Sequence, residues 1–146
     1  MPKVVRISKE QSSKLLNHAE NSLPNEAVAL LFGTISNDVI LTKRVEYLAN
    51  ESITNQTSFS VNPEDQYALL MDADNRGESM IGIFHSHPAP PRPSHTDIRN
   101  MRLNPVVWIV ASKITGNWAM RAYVLEEETP VEIDIQLVAL PTDAGS

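Results

Sequence analysis

The sequence of 146 residues contains no cysteine and carries a formal net charge of −6 at neutral pH. The missing cysteine excludes a disulfide framework, a thiol nucleophile, a thiolate metal ligand and the cysteine-dependent zinc site of the deaminases. The acidic charge, with no basic or aromatic stripe, argues against a nucleic-acid partner. We expect one domain over residues 1–146, because a chain of this length buries about 68–70% of its unfolded surface without crosslinks.

No apolar run exceeds the length of a strand, and Met1-Pro2-Lys3 leads directly into the first of these runs. We therefore expect neither a signal peptide nor a membrane span, and no membrane partner. A sequence without cysteine is consistent with a reducing compartment. The expected location is cytoplasmic, and the sequence leaves open whether the chain forms an oligomer.

The sequence pattern of the first half of the chain predicts two helices and four strands. Ser8 and Gln11 form a capping-box pattern, which predicts the start of a helix. Leu15 and Ala19 then fall on one face of this helix. Residues 26–32 are almost all apolar, which is typical of a central strand buried on both faces. The remaining predicted elements are strands at 3–7, 39–45 and 57–61 and a helix that Pro63 begins and that runs to about residue 74.

The second half of the chain predicts four strands and a short helix. Their bounds are strands at 80–87, 106–111, 118–125 and 131–138, a helix at 95–102, and a tail at 140–146. Trp108 and Trp118 alternate with apolar residues, so both are expected in the core.

His85 and His87 end a β-prone apolar run and lie two residues apart, so their side chains point to the same face, whereas Ser86 points away. Such a pair alone is often a surface feature. The proline-rich loop that follows is stiff, and Ser94-x-x-Asp97 then resembles a capping box that places Asp97 in the first turn of a helix. Two imidazoles and one carboxylate make a three-ligand zinc set with the fourth position left for water. We expect one Zn²⁺ per chain.

Glu26 is the candidate base for that water. It is a single carboxylate at the start of the apolar strand. Considered alone, such a residue is more typical of a solvated strand end, just as Ser94 considered alone is a helix cap.

Together, Glu26, His85-Ser86-His87-Pro88 and Ser94-x-x-Asp97 resemble the JAMM (MPN-plus) metalloprotease family, whose signature is a distant Glu, His-x-His-Pro and Ser-x-x-Asp. The resemblance covers about residues 1–126, the expected core of the domain, and points to a compact archaeal or prokaryotic type related to the proteasome-lid deubiquitinase. One residue fewer separates His87 from Ser94 than in the family pattern. We expect this to shorten the proline loop without displacing Asp97.

The resemblance implies an α/β (α+β) fold, a mixed, curved β-sheet flanked by helices with a cytidine-deaminase-like architecture. It also implies a zinc-dependent hydrolase that cleaves the isopeptide or peptide bond after the C-terminal tail of ubiquitin or a ubiquitin-like or sulfur-carrier protein. His85, His87 and Asp97 would hold the zinc. Glu26 would move the proton, and Ser94 would donate a hydrogen bond to the developing oxyanion.

Two other interpretations stay open at this point. The chain could be a non-catalytic MPN scaffold subunit of a complex, although such relatives lose the ligands that are present here. It could also be a carrier-protein peptidase of sulfur or cysteine metabolism that releases an amino acid. The sequence does not say which carrier is bound or whether the leaving group is a lysine, a peptide or an amino acid.

Overall fold

The computed structural model describes residues 2–51, 62–87, 90–113 and 116–139. These residues form seven strands and three helices, so the mixed α+β class is confirmed. In chain order they are β1 (Val4–Ser8), α1 (Lys9–Ser22), β2 (Val28–Ser36), β3 (Val39–Leu48), α2 (Pro63–Asn75), β4 (Ser79–Ser86), α3 (His95–Leu103), β5 (Val107–Ser112), β6 (Ala119–Glu126) and β7 (Thr129–Val138). The strand predicted at 57–61 and the tail at 140–146 lie outside the described residues.

The seven strands form one sheet in the order β1-β3-β2-β4-β5-β6-β7. The sheet closes into a barrel because β1 pairs in parallel with both β3 and β7. The pair β4 and β5 is also parallel, and the remaining pairs are antiparallel. The curved, mixed sheet is therefore confirmed, and its closure adds to what the sequence predicted. The likeness to cytidine deaminases and the extent of the domain over 1–146 stay predictions.

Strand β2 is buried on both faces, which explains why its sequence is almost entirely apolar. Ala29 and Leu31 belong to a core cluster on one face of the sheet, which also contains Leu15 and Ala19 of α1. Residues of the opposite face of β2, such as Leu30, belong to a second cluster that α2 and α3 cover from outside. A strand buried on both faces needs apolar residues at every position, at about 1.5–3 kcal/mol for each large side chain removed from water.

The helices begin where the sequence predicts. Ser8 Oγ accepts a hydrogen bond from the Gln11 N–H at 2.9 Å, and the Gln11 side chain accepts one from the Ser8 N–H. Asn62 caps α2 through its side-chain oxygen, and Gly77 follows that helix at a φ of 72°, a left-handed conformation that favours glycine. No helix in the described part of the chain is long and apolar enough to span a membrane.

Candidate metal centre

Both histidines lie where β4 ends, between its neighbours β2 and β5. His85 pairs with Val28 of β2 and with Val110 of β5, which fixes its backbone in the centre of the sheet. His87 follows the strand, and its N–H donates to the carbonyl of Ala111 at 3.0 Å. The two rings are 5.2 Å apart between centroids and are both buried. Their side chains therefore share one face, as predicted from the spacing.

Asp97 reaches the histidines from the first turn of α3. Ser94 caps this helix, and the capping box predicted from the sequence is present. The Asp97 N–H donates to Ser94 Oγ at 3.1 Å, and the Ser94 N–H donates to Asp97 Oδ2 at 2.9 Å. The carboxylate lies 2.9 Å from His85 Nε2 through Oδ1 and 3.6 Å from His87 Nε2 through Oδ2. The cap therefore orients the carboxylate toward both rings.

The chemistry of these three side chains fits a catalytic zinc ion. One donor atom from each of His85, His87 and Asp97 can be chosen so that all three lie within 4.8 Å of one another, in a buried position. Imidazole nitrogens and a carboxylate oxygen are ligands that zinc takes in hydrolytic sites, three at a time. Such a set leaves one coordination position for water or substrate.

The charge state of Asp97 suits this role. Burial raises the pKa of its carboxyl group, but the hydrogen bond and charge of His85, with the bond from the Ser94 N–H, more than offset that effect. The pKa of Asp97 consequently lies below its ordinary value. A carboxylate that is ionised at neutral pH can bind a cation without first losing a proton.

Two further groups hold the histidines in place. The ring of Trp108 stands at 86° to that of His85, with 5.7 Å between the centroids. His87 Nε2 lies 2.9 Å from the carbonyl oxygen of Arg92, in the proline-rich loop that leads to α3. This contact ties the loop to the candidate metal centre. Asp97 reaches His85 although one residue fewer separates His87 from Ser94 than in the family pattern.

Glu26 precedes β2 and is only 4% exposed, so it is buried and not the solvated strand-end carboxylate that its sequence position alone would favour. Two hydrogen bonds join the neighbouring residue to β4: the Ala27 N–H donates to Ser86 Oγ at 2.8 Å, and the Ser86 N–H donates to the Ala27 carbonyl. Burial raises the pKa of Glu26 to about 7, with His85 lowering it and Asp97 raising it. A carboxyl group with such a pKa can both accept and return a proton near neutral pH.

Ser94 is exposed, unlike the other four predicted site residues. Its hydroxyl oxygen is occupied by the Asp97 N–H, which establishes the capping role. A hydroxyl that accepts one hydrogen bond still has its own proton to donate. The structure therefore leaves the predicted catalytic role of Ser94 compatible with the cap.

A cavity of about 290 Å³ opens beside the candidate metal centre. It is lined by residues that follow α1 and by residues from the segments that flank the β5–β6 connection. Its walls include Leu23, Pro24, Glu26, His87, Lys113 and Trp118. We call this cavity the side cleft.

The position of Trp118 corrects one expectation. Trp118 is only partly buried: it packs against the barrel core, yet it also lines the side cleft. Trp108, by contrast, is buried as predicted. Sequence reasoning missed the role of Trp118 because apolar alternation predicts burial but not which cavity a side chain lines.

The chain is similar to known proteins over most of its length. The family model of prokaryotic homologs of the JAB domain matches residues 8–125. A protein of Pyrococcus furiosus named desampylase is 31% identical over 107 residues, 73% of this chain and 71% of the relative. A Thermus thermophilus protein named as a probable TtuB-protein conjugate cleaving protease is 30% identical over 117 residues, 80% of this chain and 72% of the relative.

A solved structure supports the fold. The solution structure of protein DSY2949 from Desulfitobacterium hafniense superposes with a TM-score of 0.80 at 31% identity and covers 94% of both chains.

Proposed function

Because the chain belongs to the JAMM (MPN-plus) family, within the prokaryotic homologs of the JAB domain, we propose that it is a zinc-dependent isopeptidase of ubiquitin-like proteins. The observation that carries the proposal is the buried cluster of His85, His87 and Asp97 next to a cleft that Glu26 also lines. The bond it cleaves follows the C-terminal tail of the ubiquitin-like protein, and the protein acts in the cytoplasm.

The names of two relatives support the class of substrate. One is called a desampylase, and the other is described as cleaving TtuB-protein conjugates. We extend to this chain the feature that the second name states, the cleavage of conjugates of a small protein modifier. The tail of such a modifier binds as an extended strand beside the metal centre.

His85, His87 and Asp97 hold one zinc ion per chain in this proposal. When bound, zinc acts as a Lewis acid toward the scissile carbonyl group and lowers the pKa of a water molecule to about 7. The protein's part is to fix the three ligands. The central position of β4 in the sheet fixes His85, the bond to the Ala111 carbonyl fixes His87, and the α3 capping box fixes Asp97.

Glu26 moves the proton. Its carboxylate accepts a proton from the attacking water and returns it to the amine that leaves, so one residue acts as base and then as acid. A pKa of about 7 suits both steps, because neither form is strongly favoured at neutral pH.

Ser94 donates its hydroxyl proton to the oxygen of the scissile carbonyl as negative charge develops there. The hydroxyl oxygen keeps its bond from the Asp97 N–H throughout. The same serine thus links the oxyanion to the helix that carries a metal ligand.

Intact-mass spectrometry tests the proposal. Zinc-loaded protein is incubated with ubiquitin-like proteins that are extended beyond their Gly-Gly ends or joined to a lysine. We expect release of the free Gly-Gly terminus, and no release by a Glu26→Gln or a His87→Ala variant. Uncleaved substrates across a panel of such modifiers would contradict the proposed function.

A further inference from the structure

The side cleft is continuous with the proposed reaction centre. Glu26 and His87 are among its lining residues, together with Leu23, Pro24 and Trp118. Leu23 and Pro24 follow α1, whereas Trp118 directly precedes β6. The cleft therefore lies beside the proposed proton-transfer residue, between two segments that are distant in sequence.

The position of Glu26 indicates which half of the substrate enters this cleft. A carboxyl group that protonates a leaving amine must come within hydrogen-bond distance of its nitrogen, about 2.6–3.2 Å. Atoms attached to the far side of that nitrogen must then fill the space next to Glu26. The side cleft is the space that both Glu26 and the metal ligand His87 line.

The walls of the cleft select the chemistry of those atoms. The lining is mixed: Asn25, Ser86 and Lys113 are polar, whereas Leu23, Pro24 and the ring of Trp118 are apolar. The apolar part of the cleft favours methylene groups over charged or peptide groups. A lysine joined through its ε-amine places four methylenes directly after the nitrogen. An amino acid joined through its α-amine places a polar backbone carbonyl or carboxylate there instead.

Trp118 is joined to α1 through the carboxylate of Glu20, which also pairs with Lys113. Its Nε1–H donates to Glu20 Oε1 at 3.0 Å, and Lys113 Nζ donates to the same oxygen at 2.7 Å. These two bonds lower the pKa of Glu20 below its usual value, so the carboxylate stays charged. Glu20 is 98 residues from Trp118 in sequence, and its hydrogen bond fixes the indole relative to Leu23 at the end of the same helix.

We propose that the side cleft is the leaving-group subsite, which receives the aliphatic side chain of a substrate lysine, with Trp118 as the residue that determines this preference. The inference rests on the proposed isopeptidase function and specifies its substrate. The lysine stem lies between Leu23 and the indole, and the acceptor protein's backbone remains outside the cleft. Trp118 does not touch the reacting atoms, so it is a specificity residue and not a catalytic one.

The test compares three amides of one ubiquitin-like protein, cleaved at the same carbonyl. The amine is methylamine, the ε-amine of Nα-acetyl-lysine amide, or the α-amine of lysine amide. We expect the parent protein to cleave the ε-linked lysine with a kcat/KM about 15- to 50-fold above that of the methylamide, from the burial of two or three methylenes. The α-linked lysine should be the poorer of the two lysine substrates.

The readout for the variants is the ratio of kcat/KM for ε-linked lysine to that for the methylamide. Trp118→Ala should bring this ratio close to one. Leu23→Ala, at a position already 48% exposed, should lower the ratio in the same direction and should leave folding intact. Leu137→Ala is the matched control, because Leu137 is equally exposed on β7 and does not line the side cleft.

The possible outcomes separate the two proposals. A parent-like ratio in both Trp118→Ala and Leu23→Ala overturns the subsite while leaving the isopeptidase function in place. Cleavage of the α-linked lysine as fast as the ε-linked one overturns the assignment to a lysine side chain. Failure of the parent protein to cleave any of the three amides, with every modifier of the intact-mass panel, overturns the proposed function, and the subsite with it.

Discussion

Asp97 Oδ1 lies 2.9 Å from His85 Nε2, and this contact joins the first turn of α3 to the end of β4. The other carboxylate oxygen of Asp97 accepts a hydrogen bond from the Ser94 N–H. One carboxylate therefore takes part both in the helix cap and in the candidate metal centre. We therefore expect changes at Ser94 to act on stability and, if the proposed role holds, on catalysis at the same time.

The two roles of Ser94 can be separated by two substitutions. Ser94→Ala removes the cap and should lower the free energy of unfolding by about 1 kcal/mol, whereas Ser94→Gly should cost only a few tenths. Both remove the hydroxyl donor, so both should lower kcat by about 10²–10³ with little change in KM. Thermal melting and steady-state kinetics measure the two effects. A kcat that recovers in Ser94→Gly would mean that the serine only caps α3.

Local patterns carried most of what the sequence predicted. Residue alternation in a strand places His85 and His87 on one face, and the capping box places Asp97 in the first turn of its helix. Both patterns depend on residues within a few positions of each other, so they predict local geometry without knowledge of the rest of the fold. These patterns were sufficient to predict the three residues of the candidate metal cluster from the sequence.

Long-range contacts account for what the sequence did not show. The closure of the barrel depends on β1 pairing with β7, from opposite ends of the chain. The burial of Glu26 depends on how β4 packs beside it, and the place of Trp118 depends on its bond to Glu20. No local pattern encodes such contacts, because they form only when distant segments meet.

Glu26→Gln tests the proton-transfer role. Glutamine keeps the size and shape of the side chain but has no carboxylate to accept the proton. We therefore expect turnover to fall by about 10²–10⁴, with zinc content and substrate binding preserved. Single-turnover kinetics measure the rate of turnover and substrate binding, and elemental analysis of the same preparation measures the zinc content. Near-parental turnover in a variant with full zinc content would assign the proton transfer to another group.

The same variant should change the pH dependence of stability in metal-free protein. The pKa of Glu26 rises from 4.5 to about 7 on folding, so the folded chain holds this proton more tightly than the unfolded chain. By linkage, this residue makes the free energy of unfolding fall as pH rises from about 4.5 to about 7. Glu26→Gln removes the effect, so the variant should exceed the parent in stability above pH 7 by up to about 3 kcal/mol, and by little below pH 4.5.

Urea unfolding of both chelator-treated proteins at several pH values measures this difference. The control is Glu132→Gln, an exposed carboxylate on β7 outside the candidate site. If the difference in free energy of unfolding between the parent and Glu26→Gln does not widen with pH, the pKa of Glu26 is not raised on folding.

Inhibitors should distinguish this protein from a cysteine isopeptidase. Because the sequence contains no cysteine, thiol-alkylating reagents should leave hydrolysis unchanged, whereas zinc chelators should abolish it. Activity assays after each treatment, with zinc added back to the chelated sample, measure the contrast. A scaffold subunit without activity would show no hydrolysis before either treatment.

The central claim, that His85, His87 and Asp97 form a hydrolytic zinc centre, is tested most directly by titrating metal-free protein with zinc while following cleavage of a lysine-linked ubiquitin-like protein. Three ligands at one buried position predict one functional ion per chain. The initial rate should rise in proportion to added zinc and break at one equivalent, and His87→Ala should show no such rise. Full cleavage by the metal-free protein, or no cleavage at any zinc level, would contradict the account.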